Sequence, residues 1–179
     1  MFEELSLHIL DIAMNSLAAG AHAVQIAVIE SARRDWLILR VRDDGRGMDE
    51  AMLQRVLSHS HTSKRSRKKP IGLGLALLRQ TSEMCGGTFH VRSAPDRGTT
   101  VTASMRYSHV DRPPLGDLSS TILALCAANP SVDVQFSYHS DETRFQFGSQ
   151  ELKQKERCSN EPRRAQKVEG KSPATSCAA

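Results

Sequence analysis

The chain has 179 residues, a formal net charge of +4 and a sequence pI near 9.0, with 39% hydrophobic but only 4% aromatic residues. That is enough chain for one domain with a real core, and the core must be aliphatic. Basic residues cluster in "SKRSRKKP" and in the C-terminal tail, but no aromatic residues interleave with them, which argues against a stacking surface for single-stranded nucleic acid.

The four cysteines, Cys85, Cys126, Cys158 and Cys177, form no C-x-x-C pair and no zinc spacing with histidine. They read as reduced thiols. Glu3, Glu4 and Asp11 interrupt the N-terminus, so it lacks the basic and apolar regions of a signal peptide. No run approaches the ~20 apolar residues of a membrane span. The expectation is a soluble, cytoplasmic protein that engages no membrane.

"LSLHILDIAMNSLAAGA" places Leu7, Leu10, Met14 and Leu17 at helical spacing, with Ser6 as a candidate cap and Gly20 as a stop. "AVQIAVIE" and "WLILRVRD" alternate as two strands. "MDEAMLQRVL" is a short helix. "SHSHTSKRSRKKPIG" has no period and reads as a long loop, a length that suggests function. "LGLALLRQTSEMCGG" is a helix closed by a glycine pair. "TFHVRSAP" and "TTVTASMRY" make a hairpin around "DRG". The order predicts an α+β two-layer sandwich, a mixed sheet with helices on one face. After "SHVDRPPLGD" come a helix, "LSSTILALCAANP", and the hairpin strands "VDVQFSY" and "TRFQF". The division expected is a domain over 1–107, an αββ appendage over 108–150, and a disordered basic tail over 151–179.

Four features suit a nucleotide. Asn15 follows Asp11 by one helical turn, so the two share a helix face. Asp43-x-Gly-x-Gly follows a strand. Gly72-Leu73-Gly74-Leu75 opens a helix, and Gly98-Thr99 opens a strand. A strand-end carboxylate can accept from an exocyclic amine such as adenine N6. Gly45 and Gly47 let backbone approach a flat ring. The second of these, Gly47, is assigned to ligand approach, and Asp44 is read as a turn residue only. A threonine hydroxyl at Thr99 can complete the polar edge. Free N–H groups at Gly72 and Gly74 suit phosphate at a helix N-terminus. The Asn15 amide oxygen suits Mg²⁺. Lys64, with Arg65, Arg67, Lys68 and Lys69, supplies counter-charge.

"LDIAMNSLAAGA", "DDGRGM", "PIGLGLAL" and "DRGTTVT" resemble, in order and spacing, the N, G1, G2 and G3 boxes of the GHKL ATPases, the superfamily of histidine kinases, DNA gyrase, heat-shock ATPase chaperones and MutL. The resemblance covers about residues 5–107 and implies the Bergerat fold with bound ATP and Mg²⁺. It implies that Asp43 holds adenine N6, that Asn15 holds the metal and that Thr99 supports the base. Gly45 and Gly47 flank the base, and Gly72, Leu73, Gly74 and Leu75 cradle phosphate. Hydrolysing branches carry Glu at the position of Asp11, so Asp11 is the candidate catalytic base, one methylene shorter; the alternative is a helix-face carboxylate that pairs with a basic residue or orients Asn15. The opening "LSLHILDI" and "SHVDRPPLGD" are similar to short stand-alone bacterial ATP-binding proteins of this superfamily. "SHVDRPPL" also echoes a phosphoacceptor box at His109, but consecutive prolines oppose a helix there. His59 and His61 carry no assigned role.

The function expected is a kinase-like catalytic module that transfers the γ-phosphoryl of Mg-ATP to a partner protein. The alternatives are a slow MutL-like ATPase switch, or a non-catalytic nucleotide sensor attached to a redox or hydrogenase complex. The expected partner is a protein, either a phosphoacceptor or a second copy in a homodimer, and not nucleic acid.

Overall fold

A computed structural model of the chain describes residues 4–58 and 73–150. Lys64, Gly72, His59, His61, most of the basic loop and the tail from Glu151 lie outside the described residues, as do the side-chain surroundings of Leu73. The elements are α1 (Leu5–Ala18), β1 (Ala23–Ser31), β2 (Trp36–Asp43), α2 (Glu50–Ser58), α3 (Leu73–Met84), β3 (Phe89–Ser93), β4 (Thr99–Met105), α4 (Leu118–Ala128), β5 (Asp133–His139) and β6 (Arg144–Gly148). The strands form one six-stranded mixed sheet in the order β3-β4-β2-β1-β5-β6. β5 runs parallel to β1, and the other pairs are antiparallel.

Alternation along each strand separates the two faces. Val24, Ile26 and Val28 of β1 and Leu37, Leu39 and Val41 of β2 are buried under the helices, whereas Gln25, Arg40 and Arg42 between them are exposed. The helix-side residues join Leu5, Ile9, Ile12, Leu78, Ile122 and Leu125 in one aliphatic core. The segment 108–150 adds to this same sheet. β5 pairs with β1 along seven residues and α4 packs beside α1, so the sheet has no break at residue 107. A sequence pattern shows a hairpin but not which older strand it will join.

The row that signals α1 is not the row it buries. Leu7 and Met14 are 39% and 50% exposed, while Leu5, Ile9, Ile12, Ala13 and Ser16 face the sheet. Two apolar rows run along this helix, and the inner one includes a serine that the site uses. Ser6 does not cap it. Glu4 takes the cap position without a side-chain bond. The N–H groups of Leu5 and Ser6 donate instead to the carbonyls of Pro114 and Leu115, each at 2.9 Å. The strap over residues 107–117 thereby satisfies donors that the first helical turn leaves unpaired. His109 sits in this irregular strap, and Gly116, with φ of 74°, passes so close to Glu4 and Ser6 that a Cβ would lie 2.2 Å from the Glu4 carboxylate.

At its other end α1 closes as the glycine predicts. Gly20, with φ of 79°, donates to Leu17 and Ala21 donates to Ser16, the paired bonds of a left-handed helix terminus. α3 ends the same way through Gly86 and Gly87, which donate to Glu83 and Ser82. Asp117 caps α4 by accepting from the Ser120 N–H at 2.9 Å.

Several aspartates hold loops by accepting hydrogen bonds from backbone N–H groups and, at Asp141, also from a serine hydroxyl. Asp35 accepts from Ser108, Asp44 from His22 and Ala23, Asp117 from Ser120, and Asp141 from Ser31 and Arg33. These donors hold all four carboxyls below their ordinary range. Burial of His8 in α1 pushes its pKa down to about 4. The two effects act in different pH windows. Between the ordinary value of 6.5 and about 4 the unfolded chain takes up a proton at His8 that the folded chain refuses, so stability is lost as pH falls through that range. The four aspartates stabilise the fold above the unfolded carboxyl value of 3.8, and that stability is lost as pH falls below it. Melting temperature should therefore fall in two stages on acidification. His8→Leu should remove the first stage and leave the second; a single acid transition unchanged by that substitution would contradict this assignment.

Candidate nucleotide site

Asp43 ends β2 beneath α1, and it is buried. An isolated carboxylate there would be costly, and three donors compensate it. Ser16 Oγ donates to Oδ2 at 2.8 Å, the Gly45 N–H to Oδ1 at 2.9 Å, and the Thr99 N–H to Oδ1 at 3.1 Å. A carboxylate has about four acceptor positions. Three are filled by α1, by its own loop and by β4. The fourth can accept one more donor from the adjoining pocket.

That pocket has a volume of about 170 Å³. Small-molecule sites typically span ~300–1,000 Å³, so this one holds a ring-sized part of a ligand. Asn15, Asp43, Gly47, Leu75 and Thr99 line it, joined by the apolar side chains of Ile12, Met48, Met52, Val56 and Val101. α1, the end of β2, α2, the start of α3 and the start of β4 thus converge on one cleft. A largely apolar slot with a carboxylate in its lining suits a flat heteroaromatic ring bearing an amine.

The loop after Asp43 is stitched to both neighbours. Asp44 Oδ1 accepts the His22 and Ala23 N–H groups, both at 2.8 Å, and so ties the loop to the start of β1. It is a tether and not only a turn residue. The Arg46 N–H donates to the Ala19 carbonyl, the Asp96 N–H donates to the Arg46 carbonyl, and the Met48 N–H donates to Ser93 Oγ at 2.8 Å. Ser93 Oγ also lies 2.9 Å from Thr99 Oγ1 and 3.1 Å from the Gly98 carbonyl. One serine therefore joins the loop to both strands of the β3–β4 hairpin.

The glycines also have a reason within the chain itself, beside the ligand approach assigned on sequence. Gly47 lines the pocket, but what forbids a side chain is the chain itself. Its φ is +64°, and a Cβ would lie 1.9 Å from the Ala94 carbonyl oxygen. Gly98, with φ of +74°, would place a Cβ 2.0 Å from the Asp43 carbonyl oxygen. Gly45 packs against Ala19 and the Asp43 carboxylate, each 3.1 Å from an added Cβ, and is absent from the pocket lining. Gly47 and Gly98 let the loop and the hairpin cross backbone to backbone, and that crossing brings the Thr99 N–H to Asp43.

Asn15 is exposed at the mouth of the pocket, and its Nδ2 donates to Asp11 Oδ2 at 3.3 Å. Among the described residues Asn15 Oδ1 has no hydrogen-bond partner. Asp11 in turn lies against the first turn of α3, where a Cβ on Gly74 would fall 1.6 Å from its Oδ2. A carboxylate is favourable at the positive end of a helix. Among the described residues no three metal-ligating side chains cluster, so a cation here would take most of its ligands from phosphate and water. That is the habit of Mg²⁺, and one amide oxygen fits it.

Ser16 and Ser93 were missed on sequence. Ser16 follows Asn15 directly and falls on the inner row of α1, a row the outer leucines obscured.

The sequence resembles known proteins over the same region. The family described as "Histidine kinase-, DNA gyrase B-, and HSP90-like ATPase" matches residues 2–109. Sporulation kinase D of Bacillus subtilis is 32% identical over 100 residues, covering 56% of this chain and 19% of the kinase. Sensor histidine kinase YvrG of the same organism is 29% identical over 90 residues, covering 49% of this chain and 16% of the kinase. The chain thus spans less than a fifth of the length of these two relatives. Among solved structures, the N-terminal domain of a DNA repair protein superposes with a TM-score of 0.51 at 15% identity, covering 82% of this chain and 52% of that one. This last likeness is one of fold.

Ser16→Ala would strip a charged, buried acceptor of one donor. It should cost about 1.5–3 kcal/mol of stability in urea unfolding, in line with hydrogen bonds to charged groups. A loss below about 0.5 kcal/mol, the level of an ordinary surface change, would show that Ser16 does not hold Asp43.

Proposed function

The chain belongs to the histidine kinase-, DNA gyrase B- and HSP90-like ATPase family, and from that premise we propose that it binds Mg-ATP and acts as a kinase-like catalytic module, transferring the γ-phosphoryl to a partner protein. The observation that carries the reading is the Asp43 carboxylate, held by three donors with one acceptor position left toward a ring-sized pocket. Adenine meets that description through its exocyclic amine, while guanine presents a carbonyl at the corresponding edge and would face the carboxylate unfavourably. The apolar wall of Ile12, Met48, Met52 and Val56 excludes water from the ring faces.

From the ring, the triphosphate would extend toward Asn15 and the start of α3. There the N–H groups of the first turn of α3, from Leu73 to Leu75, would receive phosphate oxygens, helped by the helix dipole, and Gly72 is proposed to join them. Asn15 Oδ1 would hold Mg²⁺, which supplies neutralisation of the phosphate charge. Lys64 would add counter-charge. Phosphoryl transfer needs chiefly positioning and charge compensation, and these residues are of the kinds that provide both. The identity with two histidine kinases supports transfer as the outcome.

A second reading rests on Asp11. Its carboxylate contacts both Asn15 and the α3 terminus, so it stands beside the region proposed for the terminal phosphates. In a slow ATPase it would orient a water, within the hydrogen-bond reach a general base requires. In the kinase reading it positions Asn15 and takes no proton.

The two readings part on one experiment. Incubated with γ-labelled ATP and candidate acceptor proteins, the wild type should leave label on protein, and Asp11→Asn should retain at least about a third of the transfer. Release of free phosphate alone, abolished by Asp11→Asn with ATP affinity kept, would favour the ATPase. Asp43→Asn should weaken ATP binding by about 30-fold or more, because it replaces an acceptor-only carboxylate with an amide. Full affinity in that variant, measured by calorimetry, would overturn the site.

A further inference from the structure

The helices and the candidate nucleotide pocket occupy one face of the sheet. The other face, among the described residues, has no element packed on it. Register defines what it displays. Arg42 pairs with Thr100, and Thr100 pairs with Arg92. One step along, Arg40 pairs with Thr102, and Thr102 with His90. All four basic side chains belong to exposed residues. Strand geometry sets the grid: about 7 Å between successive same-face residues and about 10 Å across two strand spacings. Two threonine hydroxyls stand between the basic columns.

None of Arg40, Arg42 and Arg92 makes an ion pair or side-chain hydrogen bond with a described residue. This face of β2, β3 and β4 carries no carboxylate. Arg40 and Arg42 also form one wall of an open trough of about 720 Å³ that continues over β1, β5 and β6, where Gln25, Gln135 and Gln146 present amides. A single acid, Asp133, lines the trough, and it already accepts from Gln135 Nε2 at 2.8 Å. Arginines in a sheet-face row, flanked by neutral donors and left unpaired, resemble one half of a charge-complementary interface.

We infer that this open sheet face docks an acidic protein surface. The spacing selects the partner's form. Carboxylates at i and i+4 of a helix lie about 6 Å apart, close to the Arg40–Arg42 interval. A second copy of this chain is a poor occupant, because the chain is itself basic, at +4. Single-stranded nucleic acid is disfavoured because the grid holds one imidazole, His90, and the exposed Trp36 stands four residues before Arg40 on β2, so no row of rings is there to stack successive bases. The proposal is independent of the nucleotide reading, since the two surfaces lie on opposite faces of the sheet.

The test uses a fluorescein-labelled helical peptide bearing glutamates at i, i+4 spacing, with anisotropy read at low salt on the full chain. R40E/R42E is compared with R33E/R34E, which makes the same change in net charge at the β1–β2 turn. The expected result is peptide binding by the wild type, weakened about tenfold or more by R40E/R42E and less than about twofold by R33E/R34E. Equal weakening by both variants would reduce the effect to net charge and overturn the proposal, as would no binding at all. Tighter binding of a short duplex DNA than of the peptide, lost in R40E/R42E, would assign the face to nucleic acid instead and likewise overturn it. Melting temperature and Mg-ATP affinity are followed in parallel. R40Q/R42Q, expected to weaken the peptide about threefold or more, decides the matter if the reversed variant fails to fold, and an unchanged affinity there overturns it.

Discussion

A buried carboxylate is tolerated only when donors surround it, and Asp43 is the point on which this structure turns. Its three donors come from three separate pieces of chain: Ser16 on α1, Gly45 in the following loop and Thr99 at the start of β4. Satisfying that one group fixes the depth of α1 over the sheet, the path of the loop and the register of the hairpin. The same satisfaction leaves one acceptor position facing the pocket. In the proposed function, stability and recognition therefore draw on the same atoms.

The glycines around it serve the crossing of chains. Gly47 lies under the Ala94 carbonyl and Gly98 under the Asp43 carbonyl, each closer than any side chain permits. This differs from the usual account of a glycine-rich loop, in which small residues make room for the ligand. Here the backbone first makes room for itself, and the pocket is what remains. Ser93 then ties loop and hairpin with one hydroxyl. Asp11 against Gly74 repeats the theme across two helices, joining the residue proposed to hold the metal with the helix proposed to hold phosphate.

Much of this was legible in the sequence because the relevant signals are local. Strand alternation, the glycine stops of α1 and α3, and the hairpin around "DRG" all depend on near neighbours, and all of them appear in the structure. The convergence of Asn15, Asp43, Leu75 and Thr99 followed from four motifs in order. What was hidden depends on distant contacts. Ser6 was expected to cap α1, but carbonyls more than 100 residues away take that role. Leu7 and Met14 signalled the helix, yet the opposite row is buried, because two apolar rows compete on one short helix and only packing chooses. The αββ segment could be seen as a unit, but its parallel pairing with β1 is a property of the sheet edge it found.

The central claim is that Asp43 and its donors form the base-reading end of an adenine-nucleotide pocket. Amide resonances report it directly. Titrating ¹⁵N-labelled protein with Mg-ATP should move the Gly45 and Thr99 amide signals and the Asn15 side-chain amide, and leave β5 and β6 unmoved. Mg-GTP at equal concentration should leave these signals near their free positions. Shifts confined to the open face of the sheet, or equal responses to the two nucleotides at Gly45 and Thr99, would contradict the account.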